Sequence, residues 1–303
     1  MQCRARLVII LLTIVDPLVS FEIPPFFSTG AALAHSSAWP AAVASGASSI
    51  ASWQEPVSAD WIARQIDRRD TGRDSRVDLE MRLFDRQNRR RERTLTIIGL
   101  AGPAKPAPDG ISDRTLVRFT YPNDIAGTSF LVWERPSGDD DRFLYLPALG
   151  RVRRISGAER QESFVGSDFT FEDIGGRALE DYSYSLVETN ATWTASDKGV
   201  HQAWRLESRA KDPTAAFPRV VSLVRKDNFV VVEADIFNRR NERAKTYRVG
   251  RLERVQGIWT AFEMSMASET DRTRTELGVT SVRYNTGLKE DDFSRRELER
   301  GAR

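Results

Sequence analysis

Apolar and polar side chains alternate along most of the chain after residue 76. In residues 77–83 every second side chain is apolar and those between them are charged. Successive side chains of a β-strand point to opposite faces, so this period of two predicts a strand with one buried face. A polar stretch at 85–91 separates it from a second alternating run at 94–100, and the two runs predict a β-hairpin.

About a dozen runs of this kind follow one another at short spacing. The clearest of them are residues 220–225 and 229–237. Helical periods do not alternate with these runs as they would in βαβ units, so the pattern predicts an antiparallel meander within a single domain. Residues 156–176 interrupt the series and predict a loop with a helical turn.

Amphipathic helices are predicted at both ends of the alternating region. Ser58 can cap the first helix, whose apolar stripe includes Ile62 and Ile66, and the second carries Phe293 and Leu298 on its inner face. A sheet of about a dozen strands is too wide to stay open and flat, so it must curl or split. A curled sheet would hold an apolar interior with the helices as plugs or lids. A fully packed sandwich without a cavity stays open as the alternative.

Alternation also assigns the side chains that would line such an interior. The candidates are Val77, Leu79, Met81, Leu83, Val117, Phe119, Tyr121, Leu131, Trp133, Phe169, Phe171, Phe262, Met264 and Met266. Phe169 and Phe171 belong to the interrupting segment and would close the mouth of a cavity or pack under a loop. Methionine is flexible and suits variable apolar partners. A stripe of methionine or aromatic residues on a strand is nevertheless also typical of an ordinary core.

The N-terminus has the layout of a targeting segment. Arg4 and Arg6 precede a short apolar run at residues 7–15. A bilayer-spanning helix needs roughly 20 apolar residues, whereas a charged start before a short apolar run is typical of a secretory signal. We predict a signal peptide over residues 1–34, with later cleavage sites up to residue 51 left open, and one β domain over residues 52–303. A start codon placed too early, with a disordered leader, is the alternative.

Composition excludes several classes of function. The chain has one cysteine, Cys3, and one histidine after residue 51, His201, so a disulfide, a thiolate metal site or a histidine-based catalytic triad lacks its parts. We therefore predict no catalytic residue, no metal and no cofactor. The net charge is +2 in 303 residues, and acidic residues lie among the arginines, which argues against a nucleic-acid partner. No segment after the leader is predicted to cross a membrane.

Residues 142–174 carry the most specific sequence signal, RFLYLPALGRVRRISGAERQESFVGSDFTFEDI. It resembles the signature of an exported family known as outer-membrane lipoprotein-sorting protein-like, which is related to the periplasmic carrier LolA and its receptor LolB. The matching pieces are the strand end Tyr145-Leu146-Pro147, the basic run at 151–154 and the tetrapeptide at 166–169. Residues 293–301 look like the closing helix of that family.

The resemblance implies a mainly β fold, a curled antiparallel sheet that forms a half-open barrel of about 11 strands with a helical lid or plug. It implies a periplasmic carrier that holds acyl chains of lipids or lipoproteins in a hydrophobic cavity for transfer towards the outer membrane. An inner-membrane export permease is the implied partner. Sensing of lipids or lipoproteins, or an accessory role in an export complex, is the alternative. Arg151, Arg153 and Arg154 would contact an anionic headgroup or a partner, or simply form a solvated strand edge.

Overall fold

The computed structural model describes residues 6–7, 57–102, 109–136 and 138–300. The predicted signal peptide over residues 1–34 lies outside the described residues, apart from Arg6 and Leu7, and stays a prediction. The described residues from Ser58 onwards form one compact unit with the Arg6–Leu7 strand. The single domain over residues 52–303 also stays a prediction.

Strands dominate the described structure. The helices are α1 (Ala59–Asp67), α2 (Phe171–Gly175) and α3 (Arg295–Arg300), and single 3-10 turns lie at Pro147–Leu149, Ala158–Gln161, Leu179–Asp181 and Glu290–Phe293. The strands are β1 (Arg6–Leu7), β2 (Asp74–Phe84), β3 (Arg90–Leu100), β4 (Arg114–Tyr121), β5 (Ser129–Trp133), β6 (Asp141–Leu146), β7 (Arg151–Arg154), β8 (Arg177–Ala178), β9 (Tyr182–Thr194), β10 (Val200–Ala210), β11 (Arg219–Arg225), β12 (Val231–Phe237), β13 (Arg243–Val255), β14 (Ile258–Ser268) and β15 (Thr273–Tyr284).

Thirteen of these strands form one antiparallel sheet in the order β7-β6-β5-β4-β3-β2-β15-β14-β13-β12-β11-β10-β9. Each half is a meander, and β2 joins β15 to connect the halves. The sheet does not close, because β7 and β9 are its two edges among the described strands. β1 pairs only with β8, in a separate two-stranded sheet. The predicted fold class, mainly β with an open curled antiparallel sheet, is confirmed.

The first hairpin shows how local sequence fixes the register. β2 and β3 pair continuously from Asp74 opposite Leu100 to Phe84 opposite Arg90, as the alternating pattern predicts. In the turn, the Asp85 carboxylate accepts hydrogen bonds from the backbone N–H groups of Gln87 and Arg89, both at 2.9 Å. A short acceptor side chain that binds backbone two residues ahead is a typical turn former. The polar stretch at 85–91 therefore turns the chain.

One face of the sheet buries a continuous apolar cluster that draws on twelve of the thirteen strands, with only β7 contributing none of its buried residues. Two elements cover this concave face. The first is α1, capped by Ser58, whose Oγ accepts a hydrogen bond from the Trp61 N–H at 3.1 Å. Its buried side chains include Ile62 and Ile66, as predicted. The second is the crossing segment, residues 155–176, which connects β7 to β8 and inserts its aromatic side chains into the cluster.

The C-terminal helix lies on the opposite face. Phe293 and Leu298 pack in a second cluster with Leu116, Leu131 and Phe143, residues that alternate with the concave-face positions of β4, β5 and β6. The prediction that both terminal helices cover the interior is therefore wrong for the second one. β5 reads SFLVW, apolar on both sides. Alternation cannot assign an inner face to such a strand, and a second covering element has to bury its outer side.

Asp74 ties the end of the last strand to the start of β2. Its buried carboxylate accepts hydrogen bonds from the backbone N–H of Thr286 at 2.6 Å, the Thr286 hydroxyl at 2.7 Å and the Gly287 N–H at 3.1 Å. Burial alone would raise the pKa of Asp74, but these hydrogen bonds outweigh burial and hold the pKa below its ordinary value of 3.8. The ionised form therefore stabilises the folded state.

A pH dependence follows from this depressed pKa. The contribution of the Asp74 charge is complete above the unfolded-state pKa and is lost as the pH falls through the lower folded-state pKa. We expect the difference in unfolding free energy between the wild type and Asp74→Asn to stay constant from about pH 7 to about pH 5 and to shrink at lower pH. Urea unfolding at each pH measures it. A difference that grew on acidification would contradict this assignment.

Candidate functional site

The floor of the concave face is a pair of apolar rows that cross the centre of the sheet. In the first row Met81, Leu277, Met264 and Val249 stand opposite one another on β2, β15, β14 and β13. In the second row Met266 of β14 stands opposite Tyr247 of β13, and all of these side chains are buried. Two of the four methionines of the chain thus lie side by side on β14, where their flexible side chains can adapt to different apolar partners.

Helix α1 packs against the part of the sheet that carries β9 and β10. Its Trp61 is 38 % exposed and makes edge-on contacts with Trp204 and Phe229, at centroid distances of 6.2 and 5.6 Å. Trp204 and Phe229 are themselves stacked at 5.8 Å. The helix is nine residues long, and an isolated helix of this length is not stable in water. Its position therefore depends on these apolar contacts.

The crossing segment fills the other half of the concave face with an aromatic plug. Phe164 lies 5.8 Å from Phe119, 5.6 Å from Phe130 and 5.5 Å from Phe171, measured between ring centroids. Phe169 and Phe171 are buried in the same cluster. Edge-on and offset aromatic pairs of this kind add about 0.5–1.5 kcal/mol each beyond the area they bury. These pairs stabilise the crossing segment on the sheet.

The tetrapeptide at 166–169 fastens the crossing segment to the sheet. The Asp168 carboxylate accepts hydrogen bonds from the hydroxyl of Thr273 and from the hydroxyl of Thr275, the latter at 2.6 Å. The backbone N–H of Asp168 donates to the Thr275 hydroxyl at 3.0 Å. The Asp168 carbonyl accepts from the Lys245 ammonium at 2.6 Å. Burial lowers the pKa of Lys245, although Asp173 and Asp168 oppose this. A cleft of about 270 Å³ opens beside this anchor, and its lining is half polar.

A buried ion cluster holds α2 at the end of the same segment. Thr170 and Asp173 form a capping box, each side chain accepting from the other residue's backbone N–H. Arg177 donates to Asp173 at 2.6 Å, and both side chains are at most 5 % exposed. Glu172 lies 3.8 Å from Arg177 and 3.3 Å from Arg160. Burial works against the charge on Arg177, but Tyr182, Asp173 and Glu172 outweigh burial and raise its pKa.

Most of the predicted interior residues come together on the concave face. The residues buried there are Val77, Leu79, Met81, Leu83, Val117, Phe119, Phe169, Phe171, Met264 and Met266. Phe262 is half-buried at the border of the same cluster, and the Arg251 guanidinium lies 4.5 Å from its ring. Their contact with a ligand stays a prediction.

Three predicted interior residues lie elsewhere. Leu131 and Trp133 belong to the cluster on the opposite face, where the Trp133 Nε1–H donates to the Phe293 carbonyl at 2.8 Å. Tyr121 is 53 % exposed at the end of β4. The prediction that these three line the interior is wrong. Leu131 and Trp133 were assigned to the wrong side of a strand with two apolar faces, and Tyr121 extends beyond the covered part of its strand.

The three arginines of β7 lie on an edge strand of the sheet. Arg153 pairs with Glu159, and Arg154 pairs with Asp141 at 2.7 Å. Arg151 is exposed. Charged side chains on an edge strand discourage edge-to-edge association, which is the role this geometry favours. A headgroup or partner contact by these residues stays a prediction.

The ring of His201 packs beside Trp193 and contacts the buried Arg225. Arg225, whose side chain is 3 % exposed, lies 5.5 and 5.1 Å from the rings of Trp193 and Trp259. It donates to Asp227 at 2.5 Å and contacts His201 Nδ1 at 3.0 Å. A guanidinium can only donate, so Nδ1 is the acceptor. Within the described ranges, no group of three or more His, Cys, Asp or Glu side chains is placed to hold a metal ion.

A family model described as "uncharacterized protein" matches residues 112–300, from the loop before β4 to the end of α3. The chain belongs to this family. The match includes the crossing segment and β14, the two parts of the concave face that bear the aromatic plug and the methionines. Among curated proteins, none matches the chain.

Three solved structures are similar to this chain over about four fifths of its length. A domain from Vibrio parahaemolyticus, described as an outer membrane lipoprotein-sorting protein domain, is 28 % identical with a TM-score of 0.69, covering 80 % of this chain and 98 % of its own. A DUF1329 family protein from Desulfovibrio piger is 28 % identical with a TM-score of 0.70, covering 79 % and 97 %. A LolA superfamily protein from Nitrosomonas europaea is 16 % identical with a TM-score of 0.60, covering 80 % and 100 %, and shares the fold.

The resemblance to the lipoprotein-sorting protein-like family is thereby confirmed. None of the helices in the described part of the chain is long and apolar enough to span a membrane. Sequence reasoning missed several residues of the concave face, above all Phe164, Leu277 and Tyr247. Leu277 and Tyr247 follow the same alternation as Met81 and could have been found by it. Phe164 lies in an irregular segment without a period, so no pattern signals its burial.

Proposed function

We propose that this protein is a periplasmic carrier that binds acyl chains of lipids or lipoproteins on the concave face of its sheet, for transfer towards the outer membrane. The observation that carries the proposal is the continuous apolar concave face of an open LolA-like sheet, covered only by α1 and the crossing segment among the described residues. Its relatedness to a lipoprotein-sorting domain supports the same function. An inner-membrane export permease as a partner of the carrier is part of the proposal.

The energetics favour α1 as the element that an acyl chain displaces. A saturated C16 chain gains on the order of 10 kcal/mol on leaving water, at about 0.8 kcal/mol per CH₂. Exposing the two buried isoleucines of α1, Ile62 and Ile66, costs about 1.5–3 kcal/mol each. The free energy gained by burying the acyl chain therefore exceeds the cost of exposing these two side chains. The plug, with its aromatic pairs and ion cluster, resists displacement and would form the end wall.

Replacing Met264 with glutamine tests the floor of the proposed site. The side chain is 4 % exposed, and an amide without a hydrogen-bond partner there costs about 1–3 kcal/mol. We expect the Kd for palmitate to rise about tenfold or more. Tryptophan fluorescence titration measures it, because Trp61 and Trp204 lie at the rim. Val187→Gln is the matched control, since Val187 is exposed on β9. Equal affinity of both variants would contradict the assignment of the floor.

Transfer distinguishes a carrier from a sensor or an accessory subunit. Donor vesicles with a fluorescent phospholipid and unlabelled acceptor vesicles are mixed with the purified mature protein. A carrier speeds transfer in proportion to protein concentration, and Met264→Gln reduces that rate. Binding without transfer would favour a lipid sensor. Absence of both would favour an accessory subunit and contradict the proposed function.

A further inference from the structure

The outer side of α1 carries an aromatic and two basic side chains in a row. Trp61, Arg64 and Arg68 are exposed and are spaced three and four residues apart. Neighbours at this spacing share one side of a helix, and here it is the side opposite the buried Ile62 and Ile66. At a rise of 1.5 Å per residue the row is about 10 Å long. In the described part of the chain, neither arginine makes an ion pair or a side-chain hydrogen bond.

The row continues onto the sheet through ring contacts. The Trp61 ring contacts Trp204 of β10 and Phe229 of the turn between β11 and β12. Lys226 of the same turn places its Nζ 5.6 Å from the centroid of the Trp204 ring. Its hydrogen-bond partner among the described residues is the uncharged Asn190, at 3.2 Å. We call the following side chains the basic aromatic patch: Trp61, Arg64, Arg68 and Lys226.

The carboxylates nearest to the basic aromatic patch do not cancel its charge. Asp60 lies about a quarter turn round α1, in the first turn of the helix, where a negative charge favours the helix dipole. Asp227 is paired with Arg225 at 2.5 Å. Asp70 follows the helix and accepts the Gly72 N–H at 3.0 Å. With Asp60 and Asp70 counted against its three cations, the patch keeps a net positive charge.

The opposite edge of the sheet offers a contrasting surface. Leu149 is 56 % exposed beside β7, whereas Trp61 is 38 % exposed. Arg153 and Arg154 of β7 are paired with carboxylates, and Arg151 is exposed. Leu149 with Arg151 therefore equals the basic aromatic patch in exposed apolar surface but lacks its group of unpaired cations.

We propose that the basic aromatic patch docks α1 onto an anionic phospholipid surface, with Trp61 in the interfacial layer and the three basic side chains against lipid phosphates. Tryptophan favours the membrane–water interface, and basic side chains close to an anionic bilayer are attracted to it. The docking itself does not require acyl-chain binding. Since α1 is also the element that an acyl chain would displace, docking would bring the covering helix to the source of lipid, and that consequence rests on the proposed function.

Co-sedimentation of the purified mature protein with vesicles tests this inference. Vesicles of phosphatidylglycerol and phosphatidylethanolamine are compared with neutral vesicles of phosphatidylcholine. We expect the double variant Arg64→Gln with Arg68→Gln to bind the anionic vesicles about 10- to 30-fold more weakly than the wild type. Trp61→Ser should weaken binding about three- to tenfold. The control, Leu149→Ser with Arg151→Gln, should change binding less than about twofold.

The arginine variant keeps the test independent of folding, because both of its substituted side chains are exposed and unpaired among the described residues. Equal affinity of this variant and the wild type for anionic vesicles would overturn the inference, as would equal affinity of the wild type for anionic and neutral vesicles. A wild type that does not sediment with vesicles would also overturn it, and an acidic protein would then be the better partner for the patch.

Palmitate titration of the same preparations separates this inference from the proposed function. We expect the double arginine variant to bind palmitate as the wild type does, because Arg64 and Arg68 lie on the outer side of α1. If palmitate binds but vesicles do not, docking fails and the proposed function stands. If anionic vesicles bind through the patch but palmitate does not, docking stands and the proposed function fails.

Discussion

Replacing Asp173 with alanine is expected to lower the free energy of unfolding by about 3–5 kcal/mol. The change removes the carboxylate 2.6 Å from Arg177 and leaves that buried guanidinium with only the more distant Glu172 at 3.8 Å. It also removes the capping box that begins α2, a contribution of about 1 kcal/mol. Urea unfolding at pH 7, followed by circular dichroism, measures the difference.

An exposed ion pair provides the control for this prediction. Glu242 pairs with Arg240 at 3.0 Å, and both side chains are more than half exposed. Exposed pairs contribute about 0–1 kcal/mol, so Glu242→Ala should leave the unfolding curve nearly unchanged. If Asp173→Ala lost no more stability than Glu242→Ala, the buried ion cluster would not be what holds the crossing segment in place.

Replacing Phe164 with alanine is expected to cost about 3–5 kcal/mol in unfolding free energy and to open an apolar cavity in the plug. Phe164 is completely buried among Phe119, Phe130 and Phe171. Empty cavities lined by apolar side chains take up small apolar molecules such as benzene. Saturating benzene should therefore restore part of the lost stability in thermal unfolding of the variant and leave the wild type almost unaffected.

Tyr121→Ala is the matched control for the plug. Tyr121 is the exposed aromatic residue at the end of β4, the strand that also carries Phe119. We expect this variant to lose less than about 1 kcal/mol and to gain nothing from benzene. Similar losses for both variants, or a benzene effect of equal size in both, would show that the crossing segment does not fill the concave face.

The strands of the sheet could be predicted from sequence because most of them have one solvent-exposed face and one buried face. The hairpin at residues 77–100 is the clearest case, since its polar turn and both alternating runs agree. β5 is the counterexample, because its run SFLVW is apolar on both faces and hides which side is inner. The pairing of β2 with β15 joins segments about two hundred residues apart, and no local pattern contains such information.

The residues of the candidate site that lie on strands could be predicted from sequence. Those that are buried only because a separate segment packs on the sheet could not. Met81, Met264 and Met266 follow the alternation, and they do lie on one apolar face. Phe164 lies in an irregular segment, and its burial arises only when the crossing segment packs on the sheet. The basic run of β7 was read from sequence as a strand edge or a contact site, and β7 is an edge strand.

Native mass spectrometry of the mature protein, purified from a bacterial periplasm, directly tests whether the concave face binds acyl chains. We expect a complex with about one acylated molecule per chain, which organic extraction would release as a lipid or an acylated peptide. A mass of the protein alone, unchanged after incubation with palmitate or phospholipid, would contradict the claim that the concave face binds acyl chains.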